Sequence, residues 1–152
     1  MVCDGWRLVD LNNKNFDMIN IGDKKIIPRC AEASGRIYLS KKTLDSIIKR
    51  EIKKGNPLDV AQIAAIQAVK KTPDIIPMCH NIPIDSVTTD FTMAEAYIEA
   101  HCRVDATYKT GVTVALLTIW DMVKYIEKDE NGQYPDTRIS EIKVDRKTKG
   151  KE

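Results

Sequence analysis

Apolar positions recur along this chain with two different periods, and the switches between them mark out the elements. Around Ile26-Ile27 and Ile37-Tyr38-Leu39 the pattern is strand-like. Pro28 and the small-residue run Ala31-Glu32-Ala33-Ser34-Gly35 interrupt it, which predicts an irregular strand from Ile26 to Leu39. Leu44, Ile47, Ile48 and Ile52 then return at helical spacing after Ser40, a cap, with Gly55 as the stop. This gives an amphipathic helix over about residues 41 to 54. A second helix opens at Pro57 and closes at Lys70-Lys71-Thr72-Pro73. Leu58, Val60, Ala61, Ile63, Ala65 and Val69 leave it almost no polar face, so burial on most sides is expected. The stretch Asp74 to His80 is too apolar for an ordinary solvated loop, and a histidine held there titrates according to its surroundings.

The second half alternates more cleanly. Val87, Thr89, Phe91 and Met93 share one face, and Ala96, Ile98, Ala100, Cys102, Val104 and Ala106 share another, against Tyr97, Glu99, His101, Arg103 and Asp105. These predict an antiparallel hairpin with its Ala/Ile/Cys/Val face beneath helices. Leu116, Ile119, Trp120, Val123 and Ile126 mark a third helix that Asn131-Gly132 ends, and Thr137 to Val144 has strand composition. Strand, two helices, two strands, helix, strand is the split βαβ order of an α+β domain, with helices on one face of an antiparallel sheet. A single domain over residues 1–152 is expected, with an extended amino-terminal arm to about residue 23 and a solvated tail from about residue 147.

Composition narrows the function classes. With 24 basic and 22 acidic residues the formal net charge is +2, which argues against a dedicated nucleic-acid surface and leaves room for a local basic pocket. The sheet of such a fold can present stacked aromatics to RNA, but only two Phe are present and neither lies in a basic-aromatic strand motif. No run approaches the roughly 18 apolar residues of a membrane span. An amino terminus carrying Asp4 and Arg7 is too polar for a signal peptide, so the reading is cytoplasmic. Cys3, Cys30, Cys79 and Cys102 are scattered without Cys-x-x-Cys spacing, which points to reduced thiols with neither a disulfide framework nor a zinc site.

A set of ordered motifs then carries a resemblance. Lys54-Gly55, Val60-Ala61-Gln62-Ile63-Ala64, Lys70-Lys71-Thr72-Pro73, Ile76-Pro77-Met78-Cys79-His80, Lys109-Thr110-Gly111-Val112 and Ala115 through Lys124 together resemble the MoaC family, the cyclic pyranopterin monophosphate synthases of molybdenum-cofactor biosynthesis. The resemblance runs from about Val9 to Ile142. It implies a ferredoxin-like subunit, a homohexamer built from three dimers with sites at dimer interfaces, and no required cofactor. Any magnesium would enter with pyrophosphate, and no metal ligands are expected. The implied lyase reaction converts 3′,8-cyclo-7,8-dihydroguanosine triphosphate to cyclic pyranopterin monophosphate with loss of pyrophosphate.

The residues suit such work. Ammonium and guanidinium groups can hold a triphosphate and neutralise the charge that develops on departing pyrophosphate; Arg29, Lys54, Lys70 and Lys71 are the candidates. Proton transfers need a histidine or a lysine of lowered pKa, for which His80 and Lys124 stand out, with Lys54 as a further catalytic candidate. Asp121 precedes Lys124 by one helical turn and can orient it or retain its proton. Lys109, Thr110 and Gly111 form a strand-to-helix turn whose amides favour phosphate, and Cys79 belongs to the implied binding set. Each has a structural competitor. Asp121, Lys124 and Lys128 also read as a surface ion-pair stripe, His80 as a hydrogen-bonded structural residue, Cys79 as a packed side chain, and Lys70-Lys71 as complements of a helix dipole. His101, on the polar face of an alternating strand, is excluded from the site.

The chain also departs from the family pattern. Only Thr113 separates Val112 from Val114-Ala115, where the family carries a further segment with two glutamates. Either the segment is deleted or the chain is open between Thr110 and Val114. Asn81 stands where a proline usually follows Cys-His, and an added stretch lies around Phe16 to Asp23. The absent carboxylates keep a second class in view, a non-catalytic nucleotide or metabolite sensor with the same lysine-lined pocket.

Overall fold

The computed structural model describes residues 18–22, 27–105 and 110–149, with the side chains at 110 and 111 outside that description. Apart from residues 18–22, the expected amino-terminal arm lies outside the described residues. The elements follow in the order β1 (Arg29–Tyr38), α1 (Lys41–Ile48), α2 (Pro57–Lys70), the single turn α3 (Thr72–Ile75), β2 (Ser86–Met93), β3 (Tyr97–Asp105), α4 (Thr110–Glu127) and β4 (Arg138–Lys149). They form one sheet of strand order β2-β3-β1-β4, and every neighbouring pair is antiparallel. This is the α+β split βαβ arrangement, with β1 and β3 at its centre.

The hairpin registers Val87 on Val104, Phe91 on Ala100 and Met93 on Ile98. Ile98, Ala100, Cys102 and Val104 are buried, while His101 and Arg103 are exposed on the other face, as the alternation requires. Ile37 and Ile98 from the sheet meet Leu116, Ile119 and Val123 from α4 in one core. β1 is a single strand, and the irregularity expected at its small-residue run appears as register shifts against β4 between Glu32 and Ala33 and between Ser34 and Arg36. Its small residues are the condition for α4 to lie close: a Cβ at Gly35 would sit 2.9 Å from Leu116 Cδ1 and 3.0 Å from a Val112 methyl.

Two boundaries differ from the expectation. α1 stops at Ile48, because Arg50 takes φ +59° and turns the chain before Ile52 is buried in the core. β4 runs to Lys149, past the expected end at Val144, since Lys147, Thr148 and Lys149 pair with Ala31, Cys30 and Arg29, with Lys147 and Lys149 exposed to solvent. α4 runs without a break from Thr110 to Glu127.

The second helix is less buried than its composition implied. α2 turns Ala61, Ala65, Ala68 and Val69 inward against α4, and the close approach of alanines leaves Val60 and Ile63 outside. With Ile75, Ile76, Met78 and Leu117 they form the exposed large apolar side chains of this part of the molecule. The expected caps hold: Ser40 Oγ accepts from Thr43 N–H, and Pro57 sits in the first turn of α2. Asn56, which pattern alone did not reveal, caps α2 through Leu58 N–H.

Candidate functional site

Lys54 is presented by a turn that both its neighbours define. Ile52 is buried, Gly55 has φ +97°, and Gly55 N–H closes the turn on the Ile52 carbonyl at 3.0 Å. The turn lies against the last third of α4. Lys54 Nζ donates to Asp121 Oδ2 at 2.8 Å and to the Asp121 main-chain carbonyl at 2.9 Å. Lys124 Nζ reaches the other carboxylate oxygen, Asp121 Oδ1, at 2.7 Å. One carboxylate thus aligns two ammonium groups from opposite sides. Lys124 also lies over the Trp120 ring, 5.2 Å from its centroid, and Tyr134 packs edge-on against the same indole.

The electrostatics follow from those contacts. Hydrogen bonds from Lys124, then from Lys54, hold the Asp121 carboxyl down at about 2, and Asp121 raises the Lys124 ammonium above its ordinary value. A Lys124 of lowered pKa was expected; the structure reverses this, because the carboxylate it pairs with favours the charged form. Lys124 is therefore a retained acid and a fixed positive charge in the free protein. The side chains of Lys54, Asp121 and Lys124 are 47, 53 and 39% exposed, so their pairs contribute little to folding.

The remaining sequence candidates lie elsewhere. Lys70 is the last residue of α2 and Lys71 its C-cap, both exposed. Because α2 begins beside Asp121 and packs along α4, its carboxyl end points toward the start of α4. Its 14 residues span about 21 Å, too far for Lys54 and Lys70 to converge on one atom. Arg29 opens β1, half-buried beside Lys149. Cys79 is buried with its thiol on the His80 carbonyl at 3.7 Å, and His80 is half-buried. Among the described residues no hydrogen bond or ion pair joins the His80 ring to Lys54, Asp121 or Lys124. Thr110 and Gly111 begin α4, about 16 Å from Asp121 along the helix, and Lys109 lies outside the described residues.

The structure therefore brings together Lys54, Asp121 and Lys124, and among the described residues no hydrogen bond or ion pair joins Arg29, Lys70, Lys71, Cys79 or His80 to them. Two cavities, of about 390 and 380 Å³, contain none of these site residues. Trp120, Tyr134 and Tyr125, whose hydroxyl accepts the Lys53 N–H at 3.0 Å, were missed. Tyr125 was findable in principle, since it follows Asp121 by four residues on a helix. Among the described residues no three His, Cys, Asp or Glu side chains converge as a metal site, and no helix is long and apolar enough to cross a membrane.

Comparisons with known proteins place the chain in a family. The model of the MoaC family matches residues 18–150. The chain is 51% identical to a probable cyclic pyranopterin monophosphate synthase of Thermococcus kodakarensis, over 95% of this chain and 98% of the relative. Probable synthases of the same name from Pyrococcus abyssi and Methanoregula boonei are 52 and 53% identical, over 94 and 92% of this chain and 95 and 96% of theirs. With the match covering nearly all of its length, the chain belongs to the MoaC family.

Proposed function

We propose that the chain is a cyclic pyranopterin monophosphate synthase, a lyase that rearranges 3′,8-cyclo-7,8-dihydroguanosine triphosphate and releases pyrophosphate, and that it works in the cytoplasm. The observation that carries the reading is the Lys54–Asp121–Lys124 constellation, found on the motifs that tie the chain to its family. Forming a cyclic phosphate requires a hydroxyl of the substrate to attack the α-phosphorus while the bond to the β-phosphate breaks. Negative charge then grows on the departing pyrophosphate, and a preorganised ammonium stabilises it without reorganisation. Lys124, kept protonated by Asp121, supplies a proton or a fixed charge, and Lys54 lies within reach of the same carboxylate. His80 serves as the second proton-transfer group. No resident cofactor is needed, and magnesium enters as the counter-ion of pyrophosphate.

The same proposal includes an oligomer, three dimers forming a hexamer, whose pockets join residues of two subunits. Its support is geometric. Lys54, Asp121 and Lys124 lie toward one end of α4, whereas Arg29, Lys70, Lys71 and His80 make no hydrogen bond or ion pair with them among the described residues. A second copy can bring its Arg29, Lys70 and His80 to the first copy's Lys54 and Lys124. The exposed Val60, Ile63, Ile75, Ile76 and Met78 give such a contact apolar surface to bury.

Incubating the pure protein with the cyclised triphosphate and detecting pyranopterin product with pyrophosphate tests the function. Binding of the triphosphate with its return unchanged would overturn it in favour of the sensor, a reading that the missing carboxylate segment favours.

A further inference from the structure

We infer that Tyr125 is a positioning residue for Lys54, acting through its hydroxyl on the peptide group that starts the lysine turn. The inference rests on the catalytic role proposed for Lys54. The Ile52–Lys53 peptide is a rigid plane with one carbonyl and one N–H. Its carbonyl accepts from Gly55 N–H at 3.0 Å, and its N–H donates to Tyr125 Oη at 3.0 Å. The plane is thus held at both edges, once from within the turn and once from α4. Lys54 is the next residue along, so the tilt of that plane sets the direction in which its side chain leaves the backbone.

The turn needs an outside hold. Arg50 at φ +59° and Gly55 at φ +97° bracket it, and both lie in the left-handed region. Of its side chains only Ile52 is buried, while Lys53, Lys54 and Gly55 are exposed. Without the phenol oxygen, one bond inside the turn would remain to fix the plane. Tyr125 also follows Asp121 by one helical turn, so both face the same side of α4. Asp121 receives the ammonium end of Lys54, and Tyr125 receives the backbone just before it. The helix therefore fixes both the root and the tip of one side chain. Tyr125 is 42% exposed, so removing its oxygen leaves no buried cavity, and water can take up part of its role.

The test compares Tyr125→Phe and Lys54→Ala in the full-length protein with the cyclised triphosphate as substrate. Loosening a group that acts on the transition state lowers kcat, whereas loss of uniform binding raises KM. Tyr125→Phe should lower kcat about tenfold with KM nearly unchanged, in line with the cost of a misplaced catalytic group. Its melting temperature should match the parent, and hydrogen exchange at the Lys53 amide should quicken. A Tyr125→Phe protein with normal kcat beside an inactive Lys54→Ala protein would overturn the inference and leave the proposed function standing. Near-normal turnover by Lys54→Ala would remove the role of Lys54, and the inference with it. A fall in melting temperature that accounts for the lost activity, with Lys53 exchange unchanged, would reduce Tyr125 to a packing residue and also overturn it.

Discussion

The two ends of α4 hold their charges differently. Toward its carboxyl end, Lys54 and Lys124 are both engaged by Asp121 at hydrogen-bond distance, and Glu127 anchors the last turn. On the other side, Arg29, Lys70 and Lys71 make no ion pair among the described residues. Charges fixed in direction suit chemistry at particular atoms, because they cost no reorganisation when the transition state forms. Unpaired cations on flexible stems suit the holding of a polyanion, whose many oxygens tolerate variable geometry. On the proposed function, the difference would put turnover at one end and capture of the triphosphate at the other.

Replacing residues at each end separates these roles. Lys124→Ala or Lys54→Ala should lower kcat by at least about a thousandfold, since each removes an oriented charge from the transition state. Both proteins should keep a parental circular-dichroism spectrum and melting temperature. Lys70→Ala should instead raise KM about tenfold, the scale of one charge-assisted contact, while kcat changes little. An equal kcat loss at Lys54 and Lys70 would erase the distinction.

If one pocket uses both ends from different subunits, inactive variants should complement one another. Lys54→Ala and His80→Ala proteins, unfolded together and refolded as a mixture, would form mixed dimers with one intact site in two. Random pairing restores about a quarter of parental activity, as follows from the two-fold symmetry of such a dimer. Complementation at that level supports shared pockets. Its absence, with mixed oligomers confirmed by mass, would place the whole site within one subunit.

Glu127 gives the anchored end its rigidity. Its carboxylate accepts from Ser40 N–H, from Ser40 Oγ at 2.7 Å and from Thr137 Oγ1 at 2.6 Å, which ties α4 to the start of α1 and to the segment before β4. Burial pushes this carboxyl up, but hydrogen bonds from Thr137, Thr43 and Ser40 outweigh it, and the net shift is downward. A depressed carboxylate adds stability that is present above its unfolded value and is lost as pH falls through the folded one. Glu127→Ala strands those donors and should destabilise the fold by about 2–3 kcal/mol in urea titrations at neutral pH. The deficit should shrink as the parent is acidified.

How much of this was legible follows from which forces set each feature. The β2–β3 hairpin was readable because one face is buried, and a shift by one residue would expose Ile98 and Val104. The irregularity of β1 was readable from the weak strand preference of Ala31, Ala33 and Gly35 and appears as register shifts against β4; what keeps these residues extended is the space α4 needs, a tertiary demand. The end of α1 was misplaced because Gly55 is a strong stop signal, while the true reversal at Arg50 has no glycine to announce it. At the site, the pairing of Asp121 with Lys124 followed from helical spacing alone. That Lys54, sixty-seven residues away in sequence, shares the same carboxylate depends on the packing of α2 against α4, which no local pattern encodes. The residues that carry the site were nevertheless nameable, because the family motifs preserve their order.

The smallest expected effect concerns Asp121, the exposed counterpart of Glu127 on the same helix. Its carboxyl is held at about 2 by Lys124 and Lys54, so it is fully ionised throughout the working range of an enzyme and the pairs are lost only as pH falls through about 2. Asp121 therefore contributes no inflection to the acid limb of a pH–kcat profile. Its effect on Lys124 has the opposite sense: the carboxylate raises the ammonium, so removing the carboxylate lowers it. Asp121→Asn should leave the acid limb in place and move the alkaline limb, where Lys124 loses its proton, to lower pH. The melting temperature should scarcely change, because exposed pairs of this kind contribute little to folding. An unmoved alkaline limb would mean that the proton on Lys124 does not limit turnover. A shifted acid limb would assign to Asp121 a titration that its two lysine partners forbid.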